Sequence, residues 1–262
     1  MDFAASPADE GLFLTGPELP ESVTQWRATP VVAYDGRLDP RAAPLFSREG
    51  GVLLVALREE TGVARWELDL IARFLSRASL MPPDATVQEI ELASMEDLAQ
   101  VADLVRSVAS AAGATQASQD VTSDVVYELC ANALLDAPVD EAGQPRYAHR
   151  RHEAPEIDPA DACRVELAVD EGLLYVCVTD RFGRLTPAPL AKTISGLGQR
   201  ARVDASGGGA GLGFRRLLDQ GQVLAARVVP DRSTEVLCVV SLTEIRRRSA
   251  GMKSVFFLTE RD

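Results

Sequence analysis

Three short blocks of this sequence carry residue types that could bind a metal ion and an anion. In the first block, Glu128 and Asn132 stand four residues apart, late in a segment whose apolar period predicts a helix. Residues at that spacing share one helix face, so a carboxylate and a carboxamide could hold Mg²⁺ and its waters together. Glu-x-x-x-Asn is also common by chance, and an exposed Glu near an Asn at a helix end is the alternative.

The second block places an acidic side chain at the end of an apolar strand. Asp180 follows the run Val176-Cys177-Val178-Thr179, and Gly183 comes three residues later. A carboxylate at the mouth of a pocket can accept a hydrogen bond from an exocyclic amine such as that of adenine. Gly183 would let the backbone turn close to such a base. A strand followed by an ordinary turn is the alternative interpretation.

The third block is a glycine-rich segment that leads directly into a predicted helix. Successive backbone N–H groups at a helix N-terminus form an anion site. A flexible hinge would explain the glycines but not the helix that follows at once, and a Rossmann phosphate loop would need a βαβ context that is missing. The block consists of Gly207, Gly208, Gly209, Ala210, Gly211, Leu212 and Gly213.

The order of these blocks, followed by a strand that opens at Thr234, resembles the GHKL ATPases. This superfamily includes gyrases, heat-shock chaperones, histidine kinases and anti-sigma-factor serine kinases. Glu128-x-x-x-Asn132 is similar to its N box, Asp180-x-x-Gly183 to its G1 box, and residues 207–213 to its G2 box. The resemblance covers about residues 87–245, and the glycine block is its most specific part.

The resemblance implies ATP and Mg²⁺ as cofactors and a role for each matching residue. Asn132 would hold Mg²⁺, and Glu128 would be the catalytic base or water-orienting carboxylate near the same metal. Asp180 would bind the adenine amine, with Gly183 beside it and Thr234 near the base. Residues 207–213 would bind phosphates, and residues 184–206 would form a lid over ATP.

The sequence departs from the family pattern at several points. The usual G1 box is Asp-x-Gly, whereas Arg181 and Phe182 put two residues between Asp180 and Gly183. Pro138 follows the N box and would stop the helix early. No phosphoacceptor-histidine helix pair precedes the domain, and both histidines, His149 and His152, lie in a long polar loop, which makes histidine autophosphorylation a poor expectation.

The expected fold is an α/β (α+β) two-layer sandwich of the Bergerat type, with a mixed, mostly antiparallel sheet and helices on one face. Residues 84–262 would form the histidine kinase-like ATP-binding domain. Residues 1–83 would form a small N-terminal α/β module, compatible with a degenerate receiver-like fragment or with an extension of the sandwich. Period-two alternation predicts a hairpin at 164–180, and Ser94 with Asp97 predicts a helix start.

Composition narrows the range of partners. The 262-residue chain is 46% hydrophobic and carries a net charge of −12, so nucleic acid and acidic membranes are disfavoured. No apolar stretch is long enough to span a membrane and no signal peptide is evident, which predicts a cytoplasmic protein. The four cysteines lack metal-binding spacing and are expected to be reduced core residues.

These features predict an ATP- and Mg²⁺-binding signalling regulator that acts on a protein partner. It would be a protein serine/threonine kinase resembling anti-sigma-factor kinases, or a switch whose partner surface is set by ATP. The alternative is a non-catalytic pseudo-ATPase module that works through protein–protein contact. The sequence does not decide between an enzyme and a non-enzyme, or between a monomer and a homodimer.

Overall fold

The computed structural model describes residues 29–34, 36–47, 50–58, 62–148, 156–198, 210–243 and 252–260. Within them, eight strands form one sheet. The strands are β1 (Val31–Tyr34), β2 (Gly51–Ala56), β3 (Gln88–Leu92), β4 (Cys163–Asp170), β5 (Leu173–Asp180), β6 (Val223–Val229), β7 (Ser233–Ser241) and β8 (Ser254–Thr259).

Five α-helices accompany the strands within the described residues. A 3-10 helix at Pro40–Ser47, a short one at Pro159–Asp161 and a π-helical turn at Asn132–Asp136 complete the helical segments. The α-helices are α1 (Arg65–Leu75), α2 (Met95–Ala111), α3 (Gln116–Ala131), α4 (Ala188–Ser195) and α5 (Ala210–Gln220).

The strands lie in the order β1-β2-β8-β6-β7-β5-β4-β3. Only the pairs β1–β2 and β6–β8 are parallel, so the expected α/β class with a mixed, mostly antiparallel sheet is confirmed. The predicted hairpin is formed by β4 and β5, with Val165 opposite Val178. The strands β1 and β2, from the predicted N-terminal module, join this same sheet through β8. The domain boundary near residue 83 stays a prediction.

The sheet carries apolar side chains on both faces, and both faces are covered. Along β5, Val176 and Val178 contribute to one core, while Tyr175 and Cys177 contribute to the other. The first core is completed by α2 to α5 and the 3-10 helix, and the second by α1. The expectation of helices on one face therefore needs a correction: α1 adds a third layer, because the central strands are buried on both sides.

Local signals set some helix ends and not others. The predicted start of α2 is confirmed, since Ser94 Oγ accepts from the N–H of Asp97 at 3.1 Å and Asp97 accepts from the N–H of Ala93 at 2.9 Å. The helical period of the apolar residues predicts a helix from Trp66 to Leu80, but α1 ends at Leu75. Arg77 takes a left-handed φ of 60° there, which closes the helix without glycine.

A buried ion pair joins Arg58, which follows β2, to Glu67 of α1, and Arg58 also contacts residues beside β6 and β8. Arg58 Nε donates to Glu67 Oε2 at 2.6 Å, and the guanidinium also donates to the carbonyls of Met252 and Gln222, each at 2.7 Å. Glu67 is fully buried, and burial raises the pKa of its carboxyl while Arg58 opposes that rise. The guanidinium thus binds residues that flank β6 and β8 to the start of α1.

The 3-10 helix packs against α4. Its Leu45 and Phe46 are buried in the same core as Leu190 and Ile194 of α4. The helix α4 also contacts α5, and Arg215 of α5 donates to the carbonyl of Gly196 at 3.0 Å. The helix α4 is therefore held between a segment from the N-terminal part and α5.

Replacing Phe46 with Ala should destabilise the protein by about 3–5 kcal/mol, because it leaves a cavity beneath α4. Urea unfolding followed by circular dichroism measures the loss. Ser47→Ala, at an exposed position of the same 3-10 helix, is the matched control and should change stability by less than about 0.5 kcal/mol. Equal stability of the two variants would show that the 3-10 helix does not pack as described.

Candidate functional site

A cavity of about 200 Å³ opens between the end of α3, the paired ends of β5 and β7, and the segment that leads into α4. Three residues singled out by sequence, Asn132, Asp180 and Thr234, line it together. They come from segments about fifty residues apart in the chain, so only the fold brings them to one place. The remaining wall is mostly apolar: Leu129, Ala133, Ala137, Val178, Leu185, Pro189, Phe214, Leu217 and Val236, with Asp136, Arg184 and Thr186.

Asp180 is the last residue of β5, and its carboxylate is almost fully buried. Its Oδ1 accepts three backbone hydrogen bonds, from the N–H groups of Phe182 at 2.8 Å, Gly183 at 3.2 Å and Thr234 at 3.3 Å. Burial raises the pKa of Asp180, and these three donors partly offset that effect by stabilising the anion. The carboxylate therefore shapes the loop after β5 as well as lining the cavity.

Gly183 makes a close backbone approach possible. It has a φ of +61°, and a Cβ added there would lie 2.1 Å from the carbonyl oxygen of Val229 and 2.8 Å from the amide nitrogen of Arg232. The loop after β5 thus packs directly on the turn that joins β6 and β7. The two-residue spacing between Asp180 and Gly183 lets one oxygen cap both the second and third residues of the loop.

Thr234 leaves a polar atom without a partner at the cavity. It lies opposite Asp180 in the pairing of β5 with β7, and it is only 2% exposed. Its hydroxyl is near enough to lower the pKa of Asp180, yet Oγ1 makes no hydrogen bond of acceptable geometry among the described residues. A buried, unpaired hydroxyl costs about 1–3 kcal/mol, which a ligand with a matching polar group would recover.

The two residues of the predicted N box face different surroundings. Asn132 begins the π-helical turn and lines the cavity. Glu128, one turn earlier, is 8% exposed and packs against α5: a Cβ added to Gly213 would lie 2.1 Å from its Oε1, and Arg216 lies 3.7 Å from its Oε2. Glu128 is not among the residues that line the cavity. Its predicted role as base and metal ligand stays a prediction.

The glycine-rich block is only partly described. Gly207, Gly208 and Gly209 lie outside the described residues, as do the two histidines. Ala210, Gly211, Leu212 and Gly213 form the first turn of α5, which begins four residues before the predicted start at Phe214. Of these four residues, the structure describes the burial of Gly213 alone. The proposed phosphate-binding role of this block stays a prediction.

Sequence reasoning missed several residues of the cavity wall. Asp136 lies four residues after Asn132 on the same helical segment, and that spacing was the available signal. Arg184 lines the mouth and pairs with Asp231 at 3.1 Å, both side chains being well exposed. No local pattern marked Arg184, because its position depends on how the loop after β5 packs on the distant β6–β7 turn.

A second cluster of possible ligands lies on the opposite face of the sheet. In Glu166, Cys177 and Glu235, the potential ligand atoms lie within 4.8 Å of one another. Glu235 is already bound by Arg227, whose Nε donates to it at 2.8 Å, and burial raises the pKa of the Cys177 thiol far above its ordinary value. Both facts disfavour a metal there. All four cysteines are free and buried, as expected for core residues.

Comparisons with known proteins assign no family. No family model matches the chain, and no curated protein matches it. Among solved structures, the SiaB–SiaC complex from Pseudomonas aeruginosa contains a similar chain, with 17% identity, a TM-score of 0.40, and coverage of 58% of this chain and 88% of that one. A likeness of this size fixes neither a family nor a function. None of the described helices is long and apolar enough to cross a membrane.

Gly183→Ala should destabilise the protein by clearly more than Gly113→Ala. Both glycines have a positive φ, so both variants incur about 1–2 kcal/mol of backbone strain. A methyl group at Gly113 meets nothing within 4 Å, whereas at Gly183 it collides with the backbone of Val229 and Arg232. Urea unfolding of the two variants separates the collision from the strain. Equal losses would mean that the loop after β5 does not lie against the β6–β7 turn.

Asp180→Asn should alter the dependence of stability on pH. The raised pKa means that folded Asp180 holds its proton more tightly than the unfolded chain does, so its contribution falls as pH rises from the ordinary value of 3.8 through the raised one. The neutral Asn keeps an oxygen for the backbone donors but does not titrate. The unfolding free energy of the variant, relative to that of the parent, should therefore increase as pH rises through that window. A constant difference in unfolding free energy between variant and parent across that pH range would contradict the raised pKa of Asp180.

Proposed function

We propose that this protein is an ATP-binding signalling regulator and that the cavity lined by Asn132, Asp180 and Thr234 is its nucleotide site. The observation that carries the proposal is the convergence of these three residues, which sequence order alone had singled out, at one cavity. The resemblance to GHKL ATPases gives each of them a role toward the base or the metal.

The polar groups of the cavity suit a nucleobase. Asp180 offers a carboxylate held in place by three backbone donors, and the orphaned hydroxyl of Thr234 lies beside it. Apolar side chains such as Val178, Leu185 and Val236 supply apolar walls around them. A mostly apolar pocket with a few fixed polar groups is the usual form of a small-molecule site.

Oxygen ligands for Mg²⁺ are present at the same cavity. Asn132 and Asp136 line it from the end of α3, and amide and carboxylate oxygens are the ligands that Mg²⁺ prefers. Magnesium would supply charge neutralisation of the nucleotide phosphates at this wall. The residues present therefore fit both cofactors that the resemblance implies.

The position of α4 favours a switch controlled by ATP. The segment that leads into α4 lines the cavity through Leu185 and Thr186, and Pro189 in the first turn of α4 lines it as well. The helix α4 also packs on the 3-10 helix from the N-terminal part. A ligand that binds one arrangement of α4 better than another would shift the surface offered to a protein partner.

The placement of Glu128 favours a switch that binds ATP without hydrolysing it over a kinase. Its carboxylate lies against Gly213 and near Arg216 of α5 and does not line the cavity. A general base has to reach the proton it abstracts, at about 2.6–3.2 Å or through one water. The second candidate function, phosphoryl transfer to a partner's Ser or Thr, would require Glu128 to leave these contacts when ligand binds.

Isothermal titration calorimetry with ATP and Mg²⁺ tests the proposal, and the parent should bind saturably. Thr234→Val removes the orphaned hydroxyl while keeping the side-chain shape. It should weaken ATP binding roughly 2- to 10-fold, the effect of one hydrogen bond, without lowering the stability of the ligand-free protein.

Thr179→Val is the matched control for this experiment. Thr179 is a neighbouring strand residue whose hydroxyl is also buried and unpaired among the described residues, but it does not line the cavity. Its replacement should leave ATP affinity unchanged. Failure of the parent to bind ATP would exclude the nucleotide function, and equal affinity of all three proteins would remove Thr234 from the site.

A further inference from the structure

Two segments that pack on each other form one side of the cavity and its mouth. The loop after β5 begins at Asp180 and contains Arg184, while the turn between β6 and β7 contains Asp231 and leads into Thr234. Gly183 keeps the two segments in contact, because a side chain there would collide with the backbone of the turn. The polar wall made by Asp180 and Thr234 therefore continues, along both segments, into a pair of opposite charges at the mouth.

The guanidinium of Arg184 lies at this mouth between two turns. Its Nη1 donates to Asp231 Oδ1 at 3.1 Å, and this is its one hydrogen bond among the described residues. Its Nη2 would lie 3.5 Å from a Cβ added to Gly143, in the segment that follows the π-helical turn. A guanidinium carries several N–H donors, so Arg184 has donors left for a ligand in the cavity that it lines.

The pair of Arg184 with Asp231 is one that a ligand can displace. The two side chains are 49% and 80% exposed. Exposed ion pairs contribute little to stability, because water and salt screen the charges and both side chains lose freedom. A phosphate group, by contrast, can accept two parallel charge-assisted hydrogen bonds from one guanidinium. Exchange of Asp231 for a phosphate would therefore lose one weak contact and gain a stronger one.

The charges of the cavity give this exchange a large effect on binding. Among the described residues that line the cavity, Arg184 is the only cation, and Asp136 and Asp180 are carboxylates. An anionic ligand is repelled by these carboxylates and attracted by Arg184. A separate observation places a ligand on the same side of the cavity: Thr234 is 2% exposed, and its Oγ1 has no hydrogen-bond partner among the described residues. Buried polar atoms are nearly always paired, so a polar group of a ligand fits there.

We propose that Arg184 binds a phosphate group of the nucleotide and that Asp231 competes with the nucleotide for Arg184. This assignment rests on the proposed nucleotide site. In the ligand-free protein Asp231 holds the guanidinium at the mouth, and an entering phosphate takes its place. The site therefore selects its ligand by charge as well as by base. Nucleotides gain affinity from Arg184, and an uncharged nucleoside does not.

The test compares dissociation constants for ATP–Mg²⁺ and for adenosine, measured by calorimetry, in the parent and two variants. Arg184→Gln should weaken ATP binding about 10-fold, the effect of one charge-assisted hydrogen bond, and leave adenosine binding unchanged. Arg181→Gln is the matched control and should leave both affinities unchanged. Arg181 lies on the same loop, is 61% exposed and pairs with a carboxylate at 3.7 Å, but it is not among the described residues that line the cavity.

Asp231→Asn tests the competition. Asp231 has a φ of +56°, a conformation that Asn also adopts, so this variant should fold as the parent does. Without the competing carboxylate, ATP should bind about 2- to 5-fold more tightly, and adenosine should bind as before. In the double variant with Arg184→Gln, ATP affinity should stay within about 2-fold of that of Arg184→Gln alone, because Asp231 acts through Arg184. Circular dichroism establishes that each variant is folded before it is titrated.

The outcomes are distinguishable. A parent that binds neither ATP nor adenosine overturns the nucleotide site and the assignment of Arg184 with it. A parent that binds ATP, with Arg184→Gln losing no more affinity than Arg181→Gln, overturns the assignment and leaves the nucleotide site standing. Equal losses of ATP and adenosine affinity in Arg184→Gln also overturn it, because Arg184 would then shape the cavity without binding phosphate. An equal gain from Asp231→Asn with and without Arg184 overturns the competition.

Discussion

The carboxylate of Asp180 is the point on which the cavity depends. One of its oxygens accepts hydrogen bonds from the loop after β5 and from the start of β7, so a single buried group fixes the ends of two neighbouring strands and the path of the chain leaving them. A buried charge is stable only with such partners. The same anchor brings Gly183 onto the β6–β7 turn and directs the chain toward α4. The cavity wall, its mouth at Arg184 and the support of α4 all follow from this arrangement.

Sequence alone could predict those parts of the fold whose causes are local. Alternating apolar residues predicted β4 and β5, and the spacing of Ser94 and Asp97 predicted the start of α2, because each signal acts within a few residues. The early end of α1 could not be predicted, since Arg77 takes a conformation that glycine usually provides. The 3-10 helix gave no periodic signal, because its apolar residues are selected by contact with α4, about 150 residues away.

The candidate site shows the same difference between features with local causes and features that depend on tertiary contacts. The identities of Asn132, Asp180 and Thr234 could be predicted from their order in the chain, and the fold gathers them at one cavity. The direction of Glu128 could not, because it depends on which face of α3 lies against α5 and on the absence of a side chain at Gly213. Helical spacing places Glu128 and Asn132 near each other, but tertiary packing decides what each side chain contacts.

The position of β8 has a consequence for how the protein is made. This strand, from residues 254–259, lies between β2 and β6, so within the described residues it is the strand that joins β1 and β2 to the rest of the sheet. During translation the N-terminal strands emerge first and β8 emerges some two hundred residues later. Until then β2 exposes an apolar strand edge, the kind of surface to which other chains add. The nascent chain therefore has its longest period of risk for misassembly and chaperone capture before β8 emerges, and insertion of that strand is the step that ends it.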